Sequence, residues 1–177
     1  MRRLCLLNTL LGYGFAQVVH ERSDWFAWIA RHHDAGTLDG LLGELGSCVL
    51  SVMKIPGFQN SAAVDDDWLR AYSAPFPDRA SCKGAIEFPL DFHLSRAHAY
   101  VAEGMATGGL EALKRKPAML AVGMRDRALH PQNMIADFQS LFPDGPITCL
   151  SDAGHYCQED APEVLVALIH QFIQLGR

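Results

Sequence analysis

The chain has 177 residues, 49% of them hydrophobic, which is enough for one domain with a substantial core. Its 15 lysines and arginines are outnumbered by 20 aspartates and glutamates, and this mildly acidic balance without a basic stripe argues against nucleic-acid binding. No stretch approaches the roughly 18 uninterrupted apolar residues of a membrane span, so no membrane partner is predicted.

The cysteines indicate a reducing compartment. They are odd in number, scattered and never in a C-x-x-C spacing, which favours free thiols in a cytoplasmic protein over a disulfide or zinc framework. They are Cys5, Cys48, Cys82, Cys149 and Cys157. The first 16 residues resemble a secretory signal, but Asn8 and Thr9 interrupt the apolar run. We therefore predict a cytoplasmic location and neither metal nor cofactor.

The first element is a short strand. The apolar run from Arg3 to Asn8 predicts a strand in the interior of a parallel sheet, followed by a loop through Gly12 and Gly14. Residues 1–16 are assigned to this core strand and its loop.

A helical insertion is predicted next, over residues 17–98. Trp25, Phe26 and Ile29 have helical spacing, glycines break the pattern repeatedly, and a turn contains Pro75 and Pro77. We interpret this part as a cap inserted into the core.

Residues 99–177 alternate between helix and strand. The pattern predicts a helix over Ala97–Arg115, a strand over Ala118–Gly123, a helix over Pro131–Leu141, a strand over Ile147–Leu150 and a final helix from Pro162. The apolar face of that last helix should contain Val164, Leu165, Leu168, Ile169, Phe172 and Ile173. This order predicts parallel strands joined by right-handed crossovers, and hence an α/β fold.

Two side chains of catalytic type follow the last two strands. Asp126 and His155 lie 29 residues apart, an interval that holds a helix, a turn and a strand, so both can reach the same rim of the sheet. A carboxylate that accepts from one imidazole nitrogen leaves the other free as a general base. Alternatively, Asp126 pairs with Arg125 or Arg127, and His155 is satisfied by a backbone carbonyl.

The nucleophile that would complete a catalytic triad with Asp126 and His155 is absent from the sequence. No strand-to-helix turn of the G-x-S-x-G kind occurs in the 177 residues. Cys157 is a poor substitute because it lies two residues from His155 and not on such a turn. The other histidines show no ligand spacing and are interpreted as surface or core residues; they are His20, His32, His33, His93, His98, His130 and His170.

Several segments together resemble a known family. The runs Gly-Met-Arg-Asp126-Arg-Ala-Leu-His-Pro131 and Asp-Ala-Gly-His155-Tyr-Cys-Gln-Glu-Asp-Ala-Pro-Glu163, with the Phe-Pro143 turn, resemble the C-terminal half of an α/β-hydrolase of the haloalkane dehalogenase family. The strand ending at Asn8 resembles the sixth strand of that fold, and the segment from Tyr72 to Asp78 resembles part of its cap. The resemblance implies the last three parallel strands of the fold with flanking helices and an inserted helical cap.

The resemblance also implies a mechanism. In this family an aspartate nucleophile displaces halide from a small apolar substrate to form an ester, and a histidine-activated water hydrolyses the ester. His155 matches the base. The family's acid follows either the sixth or the seventh strand. The position after the sixth strand matches Asn8, whose amide cannot take the charge. Asp126, which matches the position after the seventh strand, is therefore the better match.

The chain departs from the family in two respects. The nucleophile, a neighbouring halide-binding tryptophan and the anion-hole loop belong to the family's N-terminal half, which does not match any part of this sequence. A cap tryptophan of the resembled branch follows a Met-Lys pair, whereas Met53-Lys54 is followed by Ile55-Pro56-Gly57. Trp25, Trp28 and Trp68 are interpreted as packing residues instead.

Three hypotheses about function remain open. One is a haloalkane dehalogenase-like hydrolase that lacks its nucleophile half, expected to be encoded upstream or on a partner chain. Another is an epoxide hydrolase or serine esterase of the same fold, with Tyr72 or Tyr100 as a candidate for polarising an epoxide. The third is a non-catalytic binding module. In each case the exposed edge of the first strand predicts self-association or a partner chain.

Overall fold

A three-stranded parallel sheet forms the centre of the computed structural model, which describes residues 3–11, 23–44, 57, 59–96 and 98–174. The strands are β1 (Leu4–Leu7), β2 (Ala118–Gly123) and β3 (Ile147–Leu150), in the order β1-β2-β3. Leu4 pairs with Ala118, and Gly123 pairs with Leu150. Every residue of β2 is buried, which explains its continuous apolar sequence.

Six α-helices of the described residues lie between β1 and β2. They are α1 (Asp24–Asp34), α2 (Leu38–Glu44), α3 (Asp66–Ser73), α4 (Lys83–His93), α5 (His98–Ala106) and α6 (Gly109–Lys114), with a 3₁₀ turn at Ser61–Ala63. After β2 come α7 (Pro131–Leu141), α8 (Cys157–Asp160) and α9 (Pro162–Gln174). None of the helices in the described ranges has the length and apolar character needed to cross a membrane.

The predicted strands and α7 agree with the structure, but the single helix predicted over 97–115 does not. The helix predicted over 97–115 is two helices, because Gly108 has φ 78° and its left-handed backbone separates α5 from α6. The short helix α8 was not predicted. Within the apolar face predicted for α9, Leu165 and Phe172 are buried, whereas Val164 and Ile173 are exposed.

Two apolar clusters cover the two faces of the sheet. Phe138 and Met134 of α7 pack on one face against Leu120 and Val122. The second cluster consists of Ala121, Leu150, Ala153, Cys157 and Leu165. It encloses the turn between β3 and α8, and therefore helps to fix the backbone that leads to His155.

A third cluster joins α1, α2 and α4 to the loop after β2. Trp25 and Ile29 of α1 pack with residues of α2 and α4 and with Ala128. The Ser23 hydroxyl caps α1 by accepting from the Phe26 amide and also donates to the Ala128 carbonyl, at 2.5 Å. These helices thus help to fix the loop that carries Asp126. The predictions for Gly12, Gly14, His20 and the Met53-Lys54 pair lie outside the described residues.

Candidate active site

Asp126 and His155 meet at the carboxyl end of the sheet. Asp126 follows β2 and His155 follows the neighbouring parallel strand β3, so both loops emerge at the same rim. The His155 Nδ1 atom lies 2.9 Å from Asp126 Oδ2. The contact that the 29-residue spacing predicts is therefore present.

The Asp126 carboxylate is completely buried and surrounded by hydrogen-bond donors. Its Oδ1 atom accepts from the backbone amides of Ala128 at 2.7 Å and Leu129 at 2.9 Å. Its Oδ2 atom faces His155 and also the side-chain amide of Asn8, at 3.2 Å. These donors replace the hydrogen bonds to water that the carboxylate loses on burial.

The structure does not support the alternative in which Asp126 pairs with a neighbouring arginine. Arg125 instead forms an ion pair with Asp152, with 2.5 Å between its Nη2 atom and the carboxylate. The Arg127 guanidinium lies against Gly57, where a β-carbon would come within 1.9 Å of its Nη2 atom.

The hydrogen bond to Asp126 orients the His155 ring. An ionised carboxylate only accepts, so the neutral ring donates from Nδ1 and Nε2 is left as the basic nitrogen. The His155 side chain is 26% exposed, which leaves room for a reacting group to approach. This arrangement can hold and release a proton at Nε2 while the buried carboxylate stabilises the imidazolium.

Asn8, which the sequence identified only as a residue unable to serve as the acid, is a structural part of the site. It ends β1 in a left-handed conformation with φ 41°, which asparagine tolerates better than most residues. Its Nδ2 atom lies 2.5 Å from the Gly154 carbonyl and 3.0 Å from that of His155. Its Oδ1 atom accepts from the Gly123 amide at 2.6 Å. Asn8 therefore joins the ends of β1 and β2 to the loop that carries His155.

Gly123 permits the close approach of the loops after β2 and β3. A β-carbon there would lie 2.3 Å from the Gly154 carbonyl oxygen and 2.7 Å from that of Ala153. Both are backbone atoms and cannot rotate away. Only glycine fits at the end of β2 while the His155 loop stays in place.

Two acidic residues of α8, which were not predicted from the sequence, contact residues that lie before and within α3. Glu159 accepts from the Trp68 indole at 2.8 Å and from the Tyr72 hydroxyl. Asp160 accepts from the backbone amides of Gln59, Asn60 and Gly154. Their consecutive positions on a four-residue helix gave no helical periodicity from which to predict them.

The structure also places the tyrosines and tryptophans considered in the sequence analysis. Burial and the adjacent Glu159 raise the pKa of Tyr72 to about 12, so its hydroxyl remains a donor to that carboxylate. Tyr100 is 80% exposed on α5. Trp25 is a core residue, as predicted, and it stacks on Trp28. The indole N–H of Trp68 donates a hydrogen bond to Glu159.

Cys157 is unsuited to nucleophilic attack. It is fully buried in the second apolar cluster, and this burial, assisted by the negative charges of Asp126 and Asp160, raises its thiol pKa to about 11. A thiol is nucleophilic as the thiolate, which this environment disfavours. Among the described residues no group of three or more histidine, cysteine or acidic side chains could hold a metal ion.

Comparison with known proteins places this geometry in a wider context. No family model matches the sequence. Haloalkane dehalogenase 2 of Mycobacterium tuberculosis is 32% identical over 102 residues, which are 57% of this chain and 35% of that protein. A cis-3-alkyl-4-alkyloxetan-2-one decarboxylase of Xanthomonas campestris is 32% identical over 106 residues, again 35% of its length. The matched part thus spans about a third of these relatives.

The similarity to solved structures extends over nearly the whole chain. A loop variant of a haloalkane dehalogenase from Bradyrhizobium elkanii superposes with a TM-score of 0.69 at 22% identity, covering 98% of this chain and 59% of that one. An α/β-hydrolase-fold protein from Burkholderia ambifaria gives a TM-score of 0.55 at 20% identity, covering 96% and 56%. The chain therefore has the C-terminal part of the α/β-hydrolase fold, and in sequence it resembles the haloalkane dehalogenases.

Proposed function

We propose that Asp126 and His155 are the acid and the base of a hydrolase of the haloalkane dehalogenase kind, whose aspartate nucleophile comes from a segment outside this sequence. The observation that supports the proposal is the 2.9 Å contact between His155 and a buried carboxylate that three other donors hold in place. The similarity to haloalkane dehalogenase 2 supports the same chemistry.

In the proposed reaction the nucleophile displaces halide from a small apolar haloalkane and forms an ester. His155 Nε2 then takes a proton from water, and the resulting hydroxide attacks the ester carbonyl. Asp126 stabilises the imidazolium, which gives its proton to the departing alcohol oxygen; the carboxylic acid left on the nucleophile loses its proton and the carboxylate is regenerated. The products are an alcohol, a halide ion and a proton.

A second candidate is action on an oxetan-2-one ring. It is favoured by the match to the Xanthomonas decarboxylase, whose identity equals that of the dehalogenase match. Halide release from a haloalkane and carbon dioxide release from an oxetan-2-one distinguish the two candidates.

We expect halide release only when a nucleophile is supplied. The chain alone should release no halide above background. A fusion of this chain to the part of the Bradyrhizobium dehalogenase that the superposition does not cover should give turnover. In the fusion, His155→Ala should release about one equivalent of halide and then stop, because displacement does not need the base but hydrolysis of the ester does. Halide-selective measurement checks both results. Turnover by the isolated chain that disappears in His155→Ala would instead mean that another residue is the nucleophile.

We further propose that the edge of β1 receives the segment that carries the nucleophile. In the described residues β1 pairs only with β2, which leaves the opposite edge of an apolar strand unpaired. We expect the purified chain to self-associate unless such a partner covers this edge. Light scattering over a range of concentrations checks the expectation, and a monodisperse monomer at high concentration without a partner would contradict it.

The proposed location is the cytoplasm. Cys5, Cys82, Cys149 and Cys157 are free thiols in the structure, which is typical of proteins in a reducing compartment.

A further inference from the structure

The carboxylate of Asp160 joins two segments that are about 100 residues apart in sequence. Its Oδ1 atom accepts from the backbone amides of Gln59 at 2.6 Å and Asn60 at 2.8 Å. Its Oδ2 atom accepts from the Gly154 amide at 2.6 Å. Gly154 directly precedes His155, so a single side chain holds the turn before α3 and the backbone that leads to the imidazole.

Neighbouring contacts bring the same two segments together. A β-carbon on Gly154 would lie 2.9 Å from the Gly57 carbonyl oxygen, so the two backbones pack closely. The Asn60 side chain donates to the Glu159 carbonyl at 3.3 Å, and the Glu159 carboxylate holds Trp68 and Tyr72 of α3. The segment 59–73 therefore contacts α8 through backbone, amide and aromatic groups.

The three donors of Asp160 require a group that only accepts. A carboxylate has two oxygens and accepts at both, whereas an asparagine amide directs N–H groups at one of these positions. The Asp160→Asn variant would therefore set an amide donor against a backbone amide, whichever way the side chain is turned. Hydrogen bonds to a charged group are stronger than those between neutral groups, so their loss should loosen the Gly154 backbone.

We infer that Asp160 is a positioning residue that holds the Gly154–His155 backbone against the segment 59–73 and thereby keeps the imidazole of His155 in contact with Asp126. The inference deepens the proposed function, on which it rests for the role of His155 as base. Asp160 acts through backbone amides and touches no reacting atom. A displacement of the segment 59–73 should consequently also displace His155 relative to Asp126.

The test is nitrogen NMR of the imidazole in the full chain, with the His155 signals assigned by their loss in a His155→Gln variant. In the wild-type protein we expect the tautomer protonated at Nδ1 to predominate, since Asp126 accepts that proton. In Asp160→Asn the ratio of the Nδ1–H to the Nε2–H tautomer should fall about tenfold, the size expected for loss of one hydrogen bond to a charged group. A ratio unchanged in folded protein would overturn the inference.

A matched control is Asp152→Asn. Asp152 lies on the same turn after β3, but it is 80% exposed and pairs with Arg125. This variant should leave the tautomer ratio unchanged, and an equal fall in both variants would overturn the specific role of Asp160. If Asp160→Asn does not fold, Asp160→Glu keeps the charge but shifts it by one methylene; the ratio should again fall, and an unchanged ratio would likewise overturn the inference. Because the readout needs no turnover, it is independent of whether the halide-release experiment succeeds.

Discussion

Replacing Asp126 with alanine should lower the free energy of unfolding by about 2–4 kcal/mol. The change leaves the backbone amides of Ala128 and Leu129 without their carboxylate acceptor, whereas the Asn8 amide keeps the carbonyls of Gly154 and His155. A buried donor that loses its partner costs about 1–3 kcal/mol, and the two losses should add only partly because the groups are neighbours. His155 adds little to the loss, since its partly exposed ring can turn toward water. Urea denaturation followed by circular dichroism measures the effect.

The control for Asp126 is Asp152→Ala. Both aspartates lie on the same rim, but the ion pair of Asp152 with Arg125 is exposed and should contribute less than about 1 kcal/mol. Equal losses in the two variants would show that burial and hydrogen bonding of Asp126 contribute little to stability. That result would contradict the structural account of the site.

Gly123→Ala should lower stability by about 2–3 kcal/mol and also separate His155 from Asp126. The added methyl group would overlap the carbonyl oxygens of Ala153 and Gly154, which the backbone must move to accommodate. Because Gly154 is adjacent to His155, this movement acts directly on the imidazole. Denaturation measures the loss of stability, and the imidazole tautomer ratio measures the displacement.

Gly104→Ala is the matched control for this substitution. Gly104 lies within α5, and a β-carbon there would meet no atom within 4 Å. Alanine is favoured over glycine inside a helix, so this variant should be unchanged or more stable by up to about 1 kcal/mol. If Gly123→Ala were equally harmless, the close approach of the loops after β2 and β3 would not be a constraint on the fold.

The elements that could be predicted from sequence are those fixed by local patterns. The apolar run Ala118–Gly123 indicates a strand buried on both faces, and Pro131 marks the first turn of α7. Asp126 and His155 could be paired because parallel strands end at one rim, which turns a spacing along the chain into proximity in space. The break at Gly108 was missed because glycine within a helical pattern is compatible with either continuation or termination.

The supporting residues of the site could not be predicted in the same way. Asn8 bonds to residues 115 to 147 positions away, and Asp160 bonds to Gln59 across 101 positions. Local sequence patterns do not indicate such long-range hydrogen bonds, because these depend on how distant segments pack together in the fold. On α9 the sequence shows which residues are apolar but not how much of that face its neighbours cover, and Val164 and Ile173 are left exposed.

The bridging amide of Asn8 has a consequence for how the protein opens locally. One side chain holds the end of β1, the Gly123 amide of β2 and the carbonyls of the Gly154–His155 loop, so none of these segments can detach without breaking bonds that the others share. Local fluctuations there must be cooperative, and the Gly123 amide proton should exchange with solvent only when all three segments separate together. We therefore expect the rim that carries the candidate site to open less often than loops without such a bridge, although its loops have no regular secondary structure of their own.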